Sequence, residues 1–273
     1  MKILSAIDDG AASFNAFKSA YKLARRIGYG ISAIHVDMGQ EYSTEFIVSG
    51  RMQDKLRKEL HNISRDVITK IKDAVKETDV YLSGGVPSEE IINFVKENGV
   101  YKIVSMGHST KTIVAQSVTK TVLNSLSIPI LVTNKEIEFN NILLHIQNSK
   151  AAEKIVKTLI PFIVSLKPLK VTVIMVLHDS KEMLNGYKNI AEIPYFSDPP
   201  DLKRDIAIYE ANQRKALDEV IAILKESGIS AFALIQYGDT LETIKREAAN
   251  HDLLILDRAN PYLSDHSLSI LFI

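Results

Sequence analysis

Lys2-Ile3-Leu4-Ser5-Ala6-Ile7-Asp8 is answered in the second half of the chain by Asn141-Ile142-Leu143-Leu144-His145-Ile146-Gln147. Two further stretches recur in the same order. Gly85-Val86-Pro87-Ser88-Glu89-Glu90-Ile91 returns as Gly238-Asp239-Thr240-Leu241-Glu242-Thr243-Ile244, and Lys102-Ile103-Val104-Ser105-Met106-Gly107 as Asp252-Leu253-Leu254-Ile255-Leu256-Asp257. The copies stand about 140 to 150 residues apart, a domain's length rather than a solenoid repeat. Apolar positions are kept, whereas Asp8 becomes Gln147 and Gly107 becomes Asp257.

Around these stretches, short apolar runs alternate with amphipathic segments. In the first half, strands are expected at Ile3–Ile7, Ile31–Val36, Val80–Ser83, Tyr101–Met106 and Ile128–Val132. Helices are expected over Ser13–Ile27, Met52–Lys76, the turn after Pro87, and Ser117–Ser125. The second half predicts strands at Ile142–Ile146, Val171–Val176, Ala231–Ile235 and Leu253–Leu256, with helices over Lys154–Val164, Leu202–Ser227 and Thr240–Ala249. Unbroken apolar strands separated by helices imply a parallel sheet covered on both faces. Ligands of such sheets sit at the carboxyl ends of strands, where Asp8 and Gly107 both fall. The expected fold is α/β, two tandem five-stranded parallel-sheet domains over residues 1–137 and 138–273. Residues 177–201, the longest irregular stretch of the chain, read either as an inserted loop without function or as a lid or contact surface.

Composition narrows the function. Lys plus Arg and Asp plus Glu both number 33, so there is no basic surplus for a sequence-independent grip on nucleic acid. There is no cysteine, which removes disulfides and thiolate chemistry. No apolar run reaches the roughly 20 residues that span a bilayer, and no signal pattern precedes the first strand. A cytoplasmic protein with neither nucleic-acid nor membrane partners is expected. His35 and His145 read as satisfied structural histidines, and His108 as a surface-loop residue beside Gly107. No spacing points to a metal site. Asp8-Asp9 reads as a helix-capping or ligand-contacting pair, and nothing completes a nucleophile–base set.

Taken together, Ile7-Asp8, His35-Val36, Gly85 to Ile91, Met106-Gly107 and Pro129-Ile130-Leu131-Val132 resemble the universal stress protein family, in its tandem form. The resemblance implies an adenine nucleotide alpha hydrolase-like fold whose fifth strand pairs across a two-fold axis. Many members bind ATP or AMP through Gly-x2-Gly-x9-Gly-Ser/Thr, because glycines let backbone N–H groups approach phosphates. It would place Asp8 and Val36 at the adenine, Met106-Gly107 at the ribose or phosphates, and Ser117 with Val118 at a phosphate. Thr110 stands at the second glycine and Gln116-Ser117 at the Gly-Ser pair, with five residues between Thr110 and Gln116 instead of nine. Lys111 could compensate in part as a point charge.

In the second half, Gln147 and Asp257 replace the adenine-facing Asp and the first glycine. After Arg258 too few residues remain for loop, helix and strand, so the second domain is expected to be truncated, keeping only Ser269–Ile273 as its fifth strand. Pairing of Ile128–Val132 with Ser269–Ile273 would make an intramolecular pseudo-dimer, and a homodimer of chains could follow. The resemblance implies a non-catalytic stress-response module with an unidentified protein partner. The alternative is an ATP or AMP sensor with one site in the first domain.

Overall fold

The computed structural model describes residues 1–37, 50–107, 113–177, 202–257 and 268–273. Residues 178–201 of the expected loop and residues 258–267, where the deletion is expected, lie outside the described residues. Within them the chain forms two compact units, Met1–Glu138 with Asp265–Ile273, and Phe139–Ser264.

In the first unit, β1 (Lys2–Ala6), β2 (Gly30–Asp37), β3 (Asp79–Gly84), β4 (Tyr101–Gly107) and β5 (Ile130–Thr133) form a parallel sheet in the order β3-β2-β1-β4-β5. Ile3, Leu4, Val104, Ile130 and Leu131 are fully buried, the signature of strands covered on both faces. The helices are α1 (Ala11–Ile27), α2 (Gly50–Ala74), α3 (Pro87–Asn98) and α4 (Ile113–Ser125). Crossovers between parallel strands carry the chain outward from β1 to β3 and then, from β4 to β5, the opposite way. The reversal between β1 and β4 opens a crevice at their carboxyl ends.

The turn into α3 shows why the repeated Gly-x-x sequence matters. Gly85 has φ +142°, and its counterpart Gly238 has φ +117°. Side chains with a Cβ rarely adopt these values, so both copies need glycine to swing from strand to helix. Pro87 then occupies the first turn of α3, where a missing N–H costs nothing. In the second copy Asp239 accepts a hydrogen bond from the Glu242 N–H at 2.8 Å, capping the helix directly.

The second unit has β6 (Asn141–His145), β7 (Lys170–Leu177), β8 (Ala231–Tyr237) and β9 (Leu253–Leu256), parallel in the order β9-β6-β7-β8. The single helix expected over Lys154–Val164 is two, α5 (Ser149–Thr158) and α6 (Ile160–Leu166). Pro161 has no N–H to continue the α5 ladder, so the chain breaks at Leu159 and restarts. Helices α7 (Leu202–Glu226) and α8 (Thr240–Ala248) complete the unit. The Asp252 carboxylate accepts from the Asn140 and Asn141 N–H groups at 2.8 and 2.9 Å, fixing where β6 begins.

The apolar tail forms a strand, β10 (Ile270–Phe272), and it belongs with the first unit. It runs antiparallel to β5, with Ile270 opposite Val132, Leu271 opposite Leu131 and Phe272 opposite Ile130. The Thr133 and Ser269 hydroxyls share a 2.7 Å hydrogen bond at its start. Pairing of these two segments is the arrangement their sequences predict. All three β10 side chains are buried, and each such side chain stabilises by about 1.5–3 kcal/mol. Removing residues 268–273 is therefore expected to cost at least about 4 kcal/mol, a large share of the roughly 5–15 kcal/mol that stabilises an ordinary domain. Urea unfolding of the truncated chain checks this; an unchanged midpoint would show that β10 is dispensable.

Candidate functional site

The site begins in the turn from β1 to α1. Asp8 stands just past the buried Ile7, and its Oδ1 accepts the Gly10 N–H at 2.8 Å and the Ser13 hydroxyl at 2.6 Å. The Ser13 oxygen also lies within reach of the Gly10 carbonyl at 2.8 Å and the Asp8 carbonyl at 3.1 Å. A hydroxyl has one proton, and the charged acceptor at the shortest distance takes it. The same oxygen receives the Asp8 N–H at 3.2 Å. Ser13, which sequence reading passes over, is thus the residue that holds the Asp8 carboxylate. Its position in the first turn of a helix, downstream of a strand-end Asp, is the sequence signal that would have found it.

Gly107 ends β4 beside this turn. A Cβ on it would lie 2.3 Å from the Ser13 nitrogen and 2.5 Å from the Ser13 Cα. Glycine is required here because the α1 backbone presses on the strand end. One turn further on, the Ser105 hydroxyl donates to the Ala16 carbonyl at 3.0 Å. Met106 is buried, and Val36 and Val118 are half-buried. Asp8, Val36, Met106 and Gly107 therefore converge at the carboxyl ends of β1, β2 and β4. Thr110, His108 and Lys111 lie outside the described residues, as do the side chains of Gln116 and Ser117. Helix α4 begins at Ile113 rather than at Ser117. That makes Ser117 its fifth residue, beyond the first four N–H groups that a helix leaves unpaired.

His35 is buried and engaged at both nitrogens. Nδ1 lies 2.7 Å from the Ile7 carbonyl and Nε2 3.1 Å from the Ser64 Oγ of α2. A carbonyl only accepts, so Nδ1 carries the proton and Nε2 accepts from Ser64. On the α2 side, Asp8, Asp9, Gly10 and Phe14 face Val67 and Lys70 across a cleft of about 280 Å³. That is just under the roughly 300–1,000 Å³ of ordinary small-molecule sites. Val36, Met106, Gly107 and Val118 do not line it. Among the described residues no cluster of three or more His, Asp or Glu is arranged for a metal ion, and no helix is long and apolar enough to cross a membrane.

The model of the universal stress protein family matches residues 1–134. These residues belong to that family. Over 99% of this chain and 95% of its own, a universal stress protein from Archaeoglobus fulgidus DSM 4304 has the same fold, at 16% identity and a TM-score of 0.64. UspA from Lactobacillus plantarum matches 48% of this chain and 96% of its own, with 17% identity and a TM-score of 0.41. No curated protein sequence matches the chain.

Against the universal stress protein unit, the second repeat has changed its strand end. Gln147 is exposed, and the turn is held instead by Asn148, whose side chain accepts the Ala151 N–H at 3.0 Å. Asp257 follows β9 where Gly107 follows β4. His145 fills the position of Ala6, each being the last residue of its strand and paired with an isoleucine. Burial pushes the His145 imidazole down to about 4.

Two outcomes are expected. Gly107→Ala in the universal stress protein unit is expected to destabilise by about 1–3 kcal/mol through overpacking, read as a lower urea midpoint with no ligand present; an unchanged midpoint would mean that α1 moves freely off β4. For His145, the folded value lies below the unfolded 6.5. Between the two, the unfolded chain takes a proton that the folded chain refuses, so stability is complete above about pH 7.5 and falls as pH drops. At pH 5.5 the loss from this residue is expected to be about 1.4 kcal/mol. Comparing denaturation at pH 7.5 and 5.5 for wild type and His145→Leu tests it; equal slopes would remove His145 as the cause.

Proposed function

We propose that the chain is a non-catalytic stress-response module that acts by binding a protein partner. The observation that carries this reading is the engagement of Asp8, whose Oδ1 is held by Ser13 and Gly10. Two further facts support it. Ser117 lies past the free N–H groups of α4, and the cleft beside Asp8 is small. In the second unit, a carboxylate at Asp257 about 4 Å from a phosphate would oppose it by roughly 1–4 kcal/mol. The reading assigns no turnover.

The alternative is a sensor with ATP or AMP bound once, in the first unit. It is favoured by the convergence of Asp8, Val36, Met106 and Gly107 at the strand reversal; in this reading Asp8 and Val36 would meet the adenine, and Gly107, Ser117 and Val118 would serve the phosphates, with Thr110 and Gln116 at the motif's glycine positions. Calorimetric titration of ATP and of AMP, with and without magnesium, separates the two. The expected outcome is no saturation below about 1 mM, equivalent to less than about 4 kcal/mol of binding. A micromolar site lost in Asp8→Ala would establish the sensor, provided that the Ala variant melts like Asp8→Asn. The Asn side chain keeps an acceptor for Ser13 and Gly10, so the pair distinguishes ligand contact from collapse of the turn.

A further inference from the structure

The outer edge of the second unit is unusual for a soluble protein. Strand β8 reads Ala231-Phe232-Ala233-Leu234-Ile235-Gln236-Tyr237, with no charge, proline or glycine. It is paired with β7 along its whole length, and among the described residues no strand covers its other side. Phe232 and Tyr237 are 51% and 43% exposed. Free edges are ordinarily blunted by charge, proline or a bulge. The free edge of the first unit, β3, carries such a charge, Asp79, held by Lys2 at 2.6 Å.

We propose that β8 is a dimerisation edge, and that its occupant is β8 of a second copy of this chain, running antiparallel about a two-fold axis at Leu234. The backbone directions permit it. The Val171 N–H donates to the Ser230 carbonyl and the Gly238 N–H to the Leu177 carbonyl. Even-numbered residues of β8 therefore point their backbone groups at β7, and Ala231, Ala233, Ile235 and Tyr237 point theirs outward. A two-fold axis at Leu234 sets Ala233 opposite Ile235 of the second copy and Ala231 opposite Tyr237. These are the hydrogen-bonded pairs of an antiparallel ladder, each residue donating once and accepting once.

The side chains favour the same partner. Read against its own reverse, the strand places Ala against Tyr, Phe against Gln and Ala against Ile, with Leu234 on Leu234 at the axis. A small or slender side chain thus meets a large one at every pair but the central one, the self-complementarity that a two-fold interface requires. Lys170, whose Nζ stands 5.1 Å over the Phe232 ring, lies at one end of the strand. Arg214 donates to the Tyr237 hydroxyl at the other, with Glu210 beside it. The two-fold axis sends the two Lys170 side chains to opposite ends of the ribbon, so they do not repel.

Light scattering on the full chain at micromolar concentration tests the proposal. Wild type is expected at twice the 30.4 kDa chain mass. Ala233→Pro removes an outward N–H without breaking a bond to β7, and Ala233→Lys adds a charge at an exposed position; each is expected to raise the dimer dissociation constant at least about tenfold with an unchanged melting temperature. Should either variant fold poorly, hydrogen exchange on wild type reads the same edge. The Ala233 and Ile235 amides are then expected to be protected in concentrated solution and to exchange on dilution. A monomeric wild type overturns the proposal. So does a dimer that both variants leave intact, or a monomer whose β8 edge is protected only by an added extended peptide.

Discussion

The contact between the first turn of α1 and the end of β4 governs the working end of the first unit. Backbone meets backbone there, with Gly107 against Ser13 and no volume for a Cβ. That approach sets the height of α1 over the sheet and brings the Ser13 hydroxyl to the Asp8 carboxylate. The Ser105 bond to the Ala16 carbonyl repeats the attachment one turn along. A glycine after the fourth strand can serve two masters, a bound phosphate or the neighbouring helix. Here the helix alone is enough to require it.

The two repeats solve one turn in different ways. A carboxylate with a serine holds the first, and an asparagine amide holds the second. The asparagine caps its helix by accepting the Ala151 N–H, whereas the carboxylate accepts the Gly10 N–H and the Ser13 hydroxyl and leaves α1 without a side-chain cap. Replacing Ala6 by His145 changes the character of the interior as well. A buried neutral imidazole makes the second unit's stability depend on pH in a way the first unit's alanine does not.

Element type was legible in the sequence wherever apolar periodicity ran unbroken, as in β1, β4, β6 and α7, because burial alone dictates those residues. Ends were less legible. Helix α4 starts four residues before the serine that a motif would put at its head, since nothing local forbids Ile113-Val114-Ala115-Gln116 from joining the helix. The break at Leu159 was missed because the apolar period continues straight through Pro161, and only the missing N–H interrupts it. At the candidate site, the places of Asp8 and Gly107 at strand ends were legible in the sequence. Their roles were not, because Ser13 decides both, and its importance comes from a long-range backbone approach that no local pattern encodes.

Strand β10 also has a consequence for how the protein is made. It covers β5, yet the whole second unit lies between them in the chain. At about 5–20 residues per second of synthesis, β5 waits on the order of ten seconds for its partner. Throughout that time the nascent first unit carries an open edge, made of the apolar Ile130-Leu131-Val132, beside an emerging sequence that resembles its own. That ordering leaves the edge open to competing pairings, between repeats or between neighbouring chains, until the slow long-range closure is made. Assembly of the first unit is therefore completed from its far end, and a ribosome-associated chaperone would have its natural target at β5.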